Sequence, residues 1–472
     1  MKIELLDRPF HTIRGEDAII IFPTRPYWFS ATKDILVVLE IIEKTNESDL
    51  ARKQISEILG LNDADAAELL EELCSMLYTN KVLSIDGLVE SNPDAYPQTQ
   101  LNPAENVLVI AATQACNLRC GHCHASAGHH LTDEMTTKQI LKVVDDLDQM
   151  PWKNTISRIG FTGGEFFLRP DATQLIQYAS DRGFQILISS NGLLLTESII
   201  NFLKTIPNLK LSISLDGSHA SMHELVRGEG TFDRTIATFR TLCLAGIHVG
   251  ANMFVHQGNL QDIENTLKLA QSLGVRAFNC LNVMQIGRAK TAVGKQLFRA
   301  VPEYLLYRQL FSILRTNPSL QSMMENSHFA NQLMGVLAGV KSHYCGVGTN
   351  RALYIKADGN VYPCPDMALP LFKLGNIKHT SLRTIWESSS LLSELRQLNV
   401  DSMNPTCHAC PVRYYCGGSC RGENYQTTQD LRSPHFRCEQ IKQAVFELMW
   451  IATEDPTFYQ SKVDKLYAAI PT

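Results

Sequence analysis

The rhythm of apolar and polar positions changes several times along the chain. Over the first 30 residues it is that of strands, with apolar runs at 18–22 and 27–29. A helical period then takes over, Ile35, Val38, Leu39 and Ile42 falling at i, i+3, i+4 and i+7. Further helices are predicted over about 49–59 and from about 62 onward, the last with Ala67, Leu70 and Leu73 along one face. A short apolar run at 82–85, closed by Asp86-Gly87, predicts a strand and a turn. Two or three strands, three helices and a closing strand make residues 1–90 a small winged-helix α+β unit. Residues 91–104 place Pro93, Pro97 and Pro103 among polar neighbours and read as a linker.

From residue 106 strands and helices alternate. Strands are predicted at 106–112, 156–161, 184–189, 209–215, 248–255 and 275–283. Between them lie amphipathic runs, one with Ile140, Val143, Val144 and Leu147 on a single face, another with Ile263, Leu267 and Ala270. Repeated β-α units imply parallel strands covered by helices. Six units fall short of the eight of a closed barrel, so the expected fold is α/β with a partial, open-sided (βα)6 barrel over 105–325. A helical stretch around 304–311 reads as packing structure.

Composition narrows the possibilities. Of 472 residues, 44% are hydrophobic and 19% charged, as in a globular chain with sizeable cores. No apolar run reaches the roughly 18–20 residues of a membrane span, and the N-terminus lacks a secretory h-region. A cytoplasmic protein is expected, its 13 cysteines reduced and, where clustered, suited to metal. The net charge of −5 is unevenly spread, residues 1–87 carrying 9 basic against 16 acidic side chains and the remainder being close to neutral. Neither part carries the excess positive charge that nucleic acid demands.

Cys116, Cys120 and Cys123 follow directly on the first predicted barrel strand. Their C-x3-C-x2-C spacing can hold three irons of a [4Fe–4S] cube and leave the fourth free for a small molecule. Zinc favours paired C-x2-4-C units instead. The next three strand ends carry Gly163-Gly164-Glu165, Ser190-Asn191-Gly192 and Asp216-Gly217. Polar residues there serve equally as turns and caps, yet the C-terminal ends of such strands are where active residues collect.

This combination resembles the radical S-adenosylmethionine (radical SAM) enzymes. The resemblance implies that S-adenosylmethionine chelates the open iron and is cleaved by the reduced cluster to a 5′-deoxyadenosyl radical. It implies that Glu165, with the backbone of Gly163 and Gly164, holds the methionine amino group. Ser190 and Asn191 would contact the ribose region, and Arg227 would pair with the methionine carboxylate. His122 stands where the family sets an aromatic ring against adenine. Asp216 either faces the substrate in a catalytic role or shapes a turn. Gly287-Arg288-Ala289 resembles a Gly-Arg motif of the same group.

A second group of cysteines follows: Cys345, Cys364, Cys407, Cys410, Cys416, Cys420 and Cys438. Cys74, Cys243 and Cys280 have no partner spacing and read as buried apolar residues. The pattern C-x9-15-G-x4-C, then C-x2-C-x5-C-x3-C, then C resembles the SPASM auxiliary-cluster domain of peptide and protein maturases, assigned to 326–445 with a helical tail at 446–472. By that resemblance Cys407, Cys410, Cys416 and Cys438 hold one [4Fe–4S] cluster, and Cys345, Cys364 and Cys420 another, three clusters in all. The latter set is one cysteine short, since position 339 is a glycine. Either a group such as His343 completes it, or one iron stays open and could bind a substrate thiolate.

The N-terminal unit resembles the PqqD-like domains that capture a leader peptide as an added strand; a DNA-binding or dimerising winged helix is the alternative. Together these resemblances imply a maturase of ribosomally made peptides, an oxidoreductase served by a precursor peptide with a leader and by an external flavodoxin- or ferredoxin-type electron donor, with no membrane or nucleic-acid partner. A sulfatase-type residue oxidase, a tetrapyrrole-modifying enzyme and a non-enzymatic electron carrier share parts of the pattern.

Overall fold

The computed structural model describes residues 1–89, 106–150, 156–339, 342, 345 and 352–459. The expected linker lies outside these residues, as do His343 and the last thirteen positions of the tail.

Five short strands and three helices make up the N-terminal unit. Strands β2 (Phe10–Arg14), β3 (Asp17–Phe22) and β4 (Tyr27–Thr32) form an antiparallel sheet, while β1 (Ile3–Leu5) pairs with β5 (Leu83–Ile85). Helices Asp34–Thr45, Ser48–Leu59 and Asp63–Thr79 lie between. The third buries Ala66, Leu70, Leu73, Cys74 and Leu77. Leu70 and Leu73 thus lie on its inner face as expected, with Ala66 rather than Ala67 beside them. Asn62 caps this helix, its side chain accepting from Asp65 N at 2.9 Å.

Strand β3 is buried on both faces. Ala18, Ile20 and Phe22 join the core of the N-terminal unit, and Ile19 and Ile21 join the large core of the rest of the chain. An unbroken apolar run is what two covered faces require. The unit is held in place further by Trp28, whose Nε1 donates to Val336 O at 3.0 Å, and by Phe10 stacked on Phe446 at 5.7 Å. Arg14 reaches Glu447 at 2.8 Å and lies over Trp450.

Six parallel strands form the central sheet: β6 (Asn106–Thr113), β7 (Ile156–Gly163), β8 (Gln185–Ser190), β9 (Lys210–Ser214), β10 (Val249–Val255) and β11 (Ala277–Asn282), neighbours in that order. Alternate residues such as Leu108 and Ile110, Ile159 and Phe161, Ile186 and Ile188 are fully enclosed under the covering helices. Each such aliphatic side chain contributes about 1.5–3 kcal/mol. The sheet does not close on itself, and the barrel is partial.

The same sheet runs on past the first strand. β12 (Ala352–Ile355) pairs parallel with β6, Ala352 opposite Val107, and is followed by β13 (Asn360–Tyr362) and β14 (Gly375–Asn376). The barrel and the cysteine-rich region therefore share one nine-stranded sheet. Helix Cys438–Glu454 likewise crosses the expected boundary at 445/446 without a break. Among the described residues no helix is long and apolar enough to cross a membrane.

Candidate active site

The loop of Cys116, Cys120 and Cys123 leaves the C-terminal end of β6 and folds back on itself. Cys116 N donates to Gly128 O at 3.0 Å, and Gly128 N to Gln114 O at 2.8 Å. Glu134 anchors its start, accepting from Thr113 Oγ1 at 2.9 Å and Gln114 N at 2.8 Å. Arg288 clamps its other side: N donates to Cys123 O at 3.0 Å, Nε to Cys120 O and Nη1 to Ala127 O at 2.7 Å each. Gly287 lets the clamp approach, since a Cβ at its φ of +61° would stand 2.3 Å from the carbonyl oxygens of Cys123 and His124.

At the end of β7 the backbone presses equally close. A Cβ on Gly164 would lie 2.0 Å from Ala115 O. Without one, Gly164 N donates to Thr113 O and Glu165 N to Ala115 O, both at 2.8 Å. The buried carboxylate of Glu165 accepts from Ser190 Oγ at 2.9 Å, Asn191 N at 2.8 Å and Phe167 N at 3.2 Å. Burial pushes its pKa up, and these donors oppose the shift. Asn191 Nδ2 in turn donates to Asn117 Oδ1 at 2.8 Å, tying the ends of β6, β7 and β8 into one network.

Arg227, at the end of helix Ala220–Arg227, is buried beside the loop. Its Nε donates to Asp216 Oδ2 at 2.6 Å, and its Nη1 reaches Cys120 Sγ at 3.8 Å. Burial works against its charge, but Asp216 more than offsets this and both groups stay ionised. Asp216 is wholly enclosed, and its second oxygen accepts from Phe254 N at 2.8 Å. In this structure its carboxylate holds the Arg227 guanidinium in place. The Nη2 atom of Arg227 is buried without a partner, an open place for a ligand carboxylate.

His122 packs its ring against Phe254 at 4.4 Å and against Phe298 at 6.3 Å. Burial, then Arg227, holds its pKa down at about 3, so the ring is neutral. Sequence reasoning missed two neighbours. His256 meets Phe298 edge-on at 5.3 Å, and Gln285 Nε2 donates to Phe298 O at 3.1 Å. Like His122 Nδ1, His256 Nε2 and Gln285 Oε1 are buried without a partner. No spacing signal links positions 122, 256 and 285, which come together only through the sheet and the Phe298 segment.

The thiols gather into three sets. Cys116 feels Cys120 and Cys123; Cys416 feels Cys410, Cys407 and Cys438; Cys420 feels Cys345 and Cys364. Burial pushes Cys364 and Cys416 up to about 12 and raises Cys116, Cys120, Cys410, Cys420 and Cys438 as well, with Asp366 adding to it at Cys364 and Cys420 and the like thiols adding smaller contributions. Buried thiols crowded together ionise only when a cation compensates them. Among the described residues no three His, Cys, Asp or Glu side chains converge tightly enough to hold a single metal ion, but thiols are the donors that iron–sulfur clusters take. Cys74 and Cys280 are buried and apolar in surroundings, and Cys243 is half-buried.

Comparison with known proteins finds related domains. A family model for the radical SAM superfamily matches residues 110–270, and one for an iron–sulfur cluster-binding domain, SPASM, matches 345–411. An AdoMet-dependent heme synthase of Methanosarcina barkeri is 28% identical over 342 residues, covering 69% of this chain and 94% of its own. The mycofactocin maturase MftC of Mycobacterium tuberculosis is 28% identical over 330 residues, covering 70% of this chain and 81% of its own. The crystal structure of Streptococcus suis SuiB bound to precursor peptide SuiA shares the fold, with a TM-score of 0.57 at 14% identity over 92% of this chain and 98% of that one.

Proposed function

The chain carries a radical SAM domain followed by a SPASM domain, and on that premise we propose that it is a maturase of ribosomally made peptides. Bound to Cys116, Cys120 and Cys123, a reduced [4Fe–4S] cluster would supply the electron that cleaves S-adenosylmethionine. The protein's own part is orientation. Arg227 Nη2 would take the methionine carboxylate, and Glu165, with the Gly163-Gly164 backbone, the amino group. The Ser190–Asn191 turn would meet the ribose, and His122 with Phe254 would back the adenine. The observation that carries the cofactor's place is the partnerless Nη2 of an ionised Arg227 standing beside Cys120, and what supports a peptide substrate is the likeness to the maturase MftC.

We assign one auxiliary cluster to Cys407, Cys410, Cys416 and Cys438 and another to Cys345, Cys364 and Cys420, three clusters in all. A flavodoxin- or ferredoxin-type donor would reduce them, in the reducing cytoplasm. Residues 1–90 act as the leader-capturing unit, a PqqD-like role. Among the described residues, β2 and β4 each keep one edge unpaired, the place for a peptide strand.

The heme synthase likeness favours a second reading, a tetrapyrrole substrate. Against it, 94% of that relative is matched by 69% of this chain, which leaves little in it to correspond to the remaining third.

The test is anaerobic incubation of the reduced, reconstituted protein with S-adenosylmethionine and each leader-bearing peptide encoded beside the gene. A peptide mass change together with 5′-deoxyadenosine is expected. Product only from an iron tetrapyrrole would establish the second reading, and fully loaded clusters that release no 5′-deoxyadenosine would leave an electron carrier.

A further inference from the structure

The chain as a whole is acidic, with a net charge of −5, but the surface around the first cysteine loop is not. Residues 106–132, which include that loop, hold Arg119 and no acidic side chain. Residues 283–302 hold Arg288, Lys290, Lys295 and Arg299, and again no acidic side chain. The fold brings the two stretches together. Arg119 Nη1 and Arg288 Nη1 both donate to Ala127 O, at 3.3 and 2.7 Å. Gly294, in helix Ala292–Leu297, sits so near that a Cβ there would lie 2.4 Å from Arg288 O.

The charges on this patch are available. Arg119, Lys290, Lys295 and Arg299 are exposed. Arg119 is bonded to Ala127 O, and Lys290 to Gln426 O at 3.4 Å, groups without charge. Neighbouring carboxylates are engaged elsewhere. Glu134 holds Thr113 and Gln114, Glu224 accepts from Phe232 N at 3.0 Å, Asp366 meets His124 Nε2 at 2.8 Å and Asp133 lies 3.7 Å from Lys378. Glu229, past the end of helix Ala220–Arg227, adds a single exposed negative charge.

Apolar side chains stand among the cations. Gly121 N donates to Val226 O at 3.2 Å, and Val226, Val283, Ala289 and Phe298 form one small buried cluster beside the loop. The helices leading into that cluster, Ala220–Arg227 and Ala292–Leu297, turn Leu225, Val293 and Leu297 to solvent, 51%, 65% and 44% exposed. One such residue needs no explanation, but three around one loop, rimmed by like charges, have the make-up of a docking surface.

Beneath the patch lie the thiols. The Phe298 ring presses on Gly121, where a Cβ would stand 2.5 Å from it, and Cys116 and Cys123 are half-buried. Electrons pass between proteins only where the two redox groups come close, because tunnelling falls steeply with distance. Electron-transfer partners meet through small, weak interfaces, and opposite charge brings them together.

We propose that this patch is where the external electron donor docks, and that the donor is a small acidic protein carrying a flavin or an iron–sulfur group. The proposal rests on the reading of Cys116, Cys120 and Cys123 as a cluster site. In each encounter the reduced donor gives up one electron to the oxidised first cluster and leaves oxidised by one electron, with no atom transferred. Arg119, Lys290, Lys295 and Arg299 steer the acidic face inward, and Leu225, Val293 and Leu297 provide the dry contact. Because charge drives the encounter, its rate depends steeply on ionic strength.

The test uses the full reconstituted chain and follows 5′-deoxyadenosine release from S-adenosylmethionine. The reaction is driven either by a reduced acidic flavodoxin or ferredoxin, or by excess dithionite with methyl viologen, a small carrier that needs no docking site. The donor-driven rate of the parent should fall about tenfold from low to high salt. Lys290→Glu with Lys295→Glu and Arg299→Glu should cut that rate about tenfold or more at low salt and flatten its salt dependence. Iron content and the viologen-driven rate should stay as in the parent. Lys204→Glu with Lys210→Glu, a like change at the opposite end of the barrel strands, should leave both rates alone. A triple variant with the parent's donor-driven rate overturns the proposal, and a loss of precursor turnover alongside it would give the patch to an acidic peptide instead. An equal loss with viologen, or with the Lys204 and Lys210 changes, overturns it too, as does a parent whose donor-driven rate is absent or indifferent to salt while viologen drives the reaction. A parent with loaded clusters that releases no 5′-deoxyadenosine even with viologen would overturn instead the reading of the loop beneath the patch.

Discussion

Glu165 shows how much one side chain can organise. Its carboxylate takes three donors, two of them from the Ser190–Asn191 turn, so its charge shapes the wall against which the cofactor would rest. Glu165→Gln keeps the volume but turns an NH2 toward the Asn191 amide. A hydrogen bond to a charged group contributes about 1.5–3 kcal/mol. S-Adenosylmethionine affinity, read from the EPR change on titration, should fall about tenfold to a hundredfold, with iron content unaltered. His223 supplies a pH effect. Its Nδ1 accepts from Asp216 N at 3.2 Å, and burial lowers its pKa to about 4. The unfolded chain, with an ordinary His near 6.5, takes up this proton first. The neutral ring's stabilisation is therefore complete above pH 6.5 and is lost as pH falls toward 4, on the order of 3 kcal/mol at most. Chemical denaturation of the metal-free protein across that range should show the slope, and His223→Asn should flatten it. The three cysteines and Glu165 were legible because their spacing within one loop and one strand end carries the chemistry. Arg288 stood out only through its resemblance to a Gly-Arg motif, and His256 and Gln285 not at all, because they approach the His122 ring through Phe298 and no local pattern records such a contact.

At the scale of elements, the site depends on strand ends that come closer than side chains allow. Gly164 is the tightest point, with a Cβ position 2.0 Å from Ala115 O. Gly164→Ala must separate the end of β7 from the cysteine loop and break both backbone bonds there. The cost should be at least about 2 kcal/mol. Thermal unfolding of the metal-free variant should shift downward by several degrees, and the first cluster should bind S-adenosylmethionine more weakly even where iron is retained. Arg288→Met gives the complementary result. It leaves the strands alone but removes a donor from each of the carbonyls of Cys120 and Ala127, so iron should be lost from the first cluster while the auxiliary clusters stay loaded. Strands β6 to β11 were readable from their apolar runs, each within a residue or two of the expected span. β12 was not readable. It is four residues long, it follows a stretch with no periodic signal, and its partner β6 lies some 245 positions upstream. Its pairing is decided by the free edge of the sheet, which only the assembled fold presents.

Across the whole molecule the question is how rigidly the N-terminal unit sits on the rest. The answer was partly visible in the run 18–22, whose unbroken apolar character asks for cover on both faces; which surface supplies the second cover was not. It is the large core and the helix Cys438–Glu454. Glu447 on that helix is nearly buried and takes both Arg14 and Arg308, while Trp28 is bonded to Val336 O. A captured leader would thereby be held at a fixed place relative to the barrel mouth, and fixed geometry raises the effective concentration of the attached core peptide. Loosening the docking should therefore separate capture from turnover. Arg14→Met with Trp28→Phe removes the ion pair and the indole bond while keeping apolar bulk on both strands, so the unit itself should stay folded. Leader affinity, measured by fluorescence anisotropy, should change less than about twofold, since neither change removes strand edges. Turnover of the whole precursor peptide should fall about tenfold or more, with uncoupled 5′-deoxyadenosine release unchanged. Turnover that stays at its original rate would mean that the unit delivers its peptide through a flexible tether and that the docking serves stability alone.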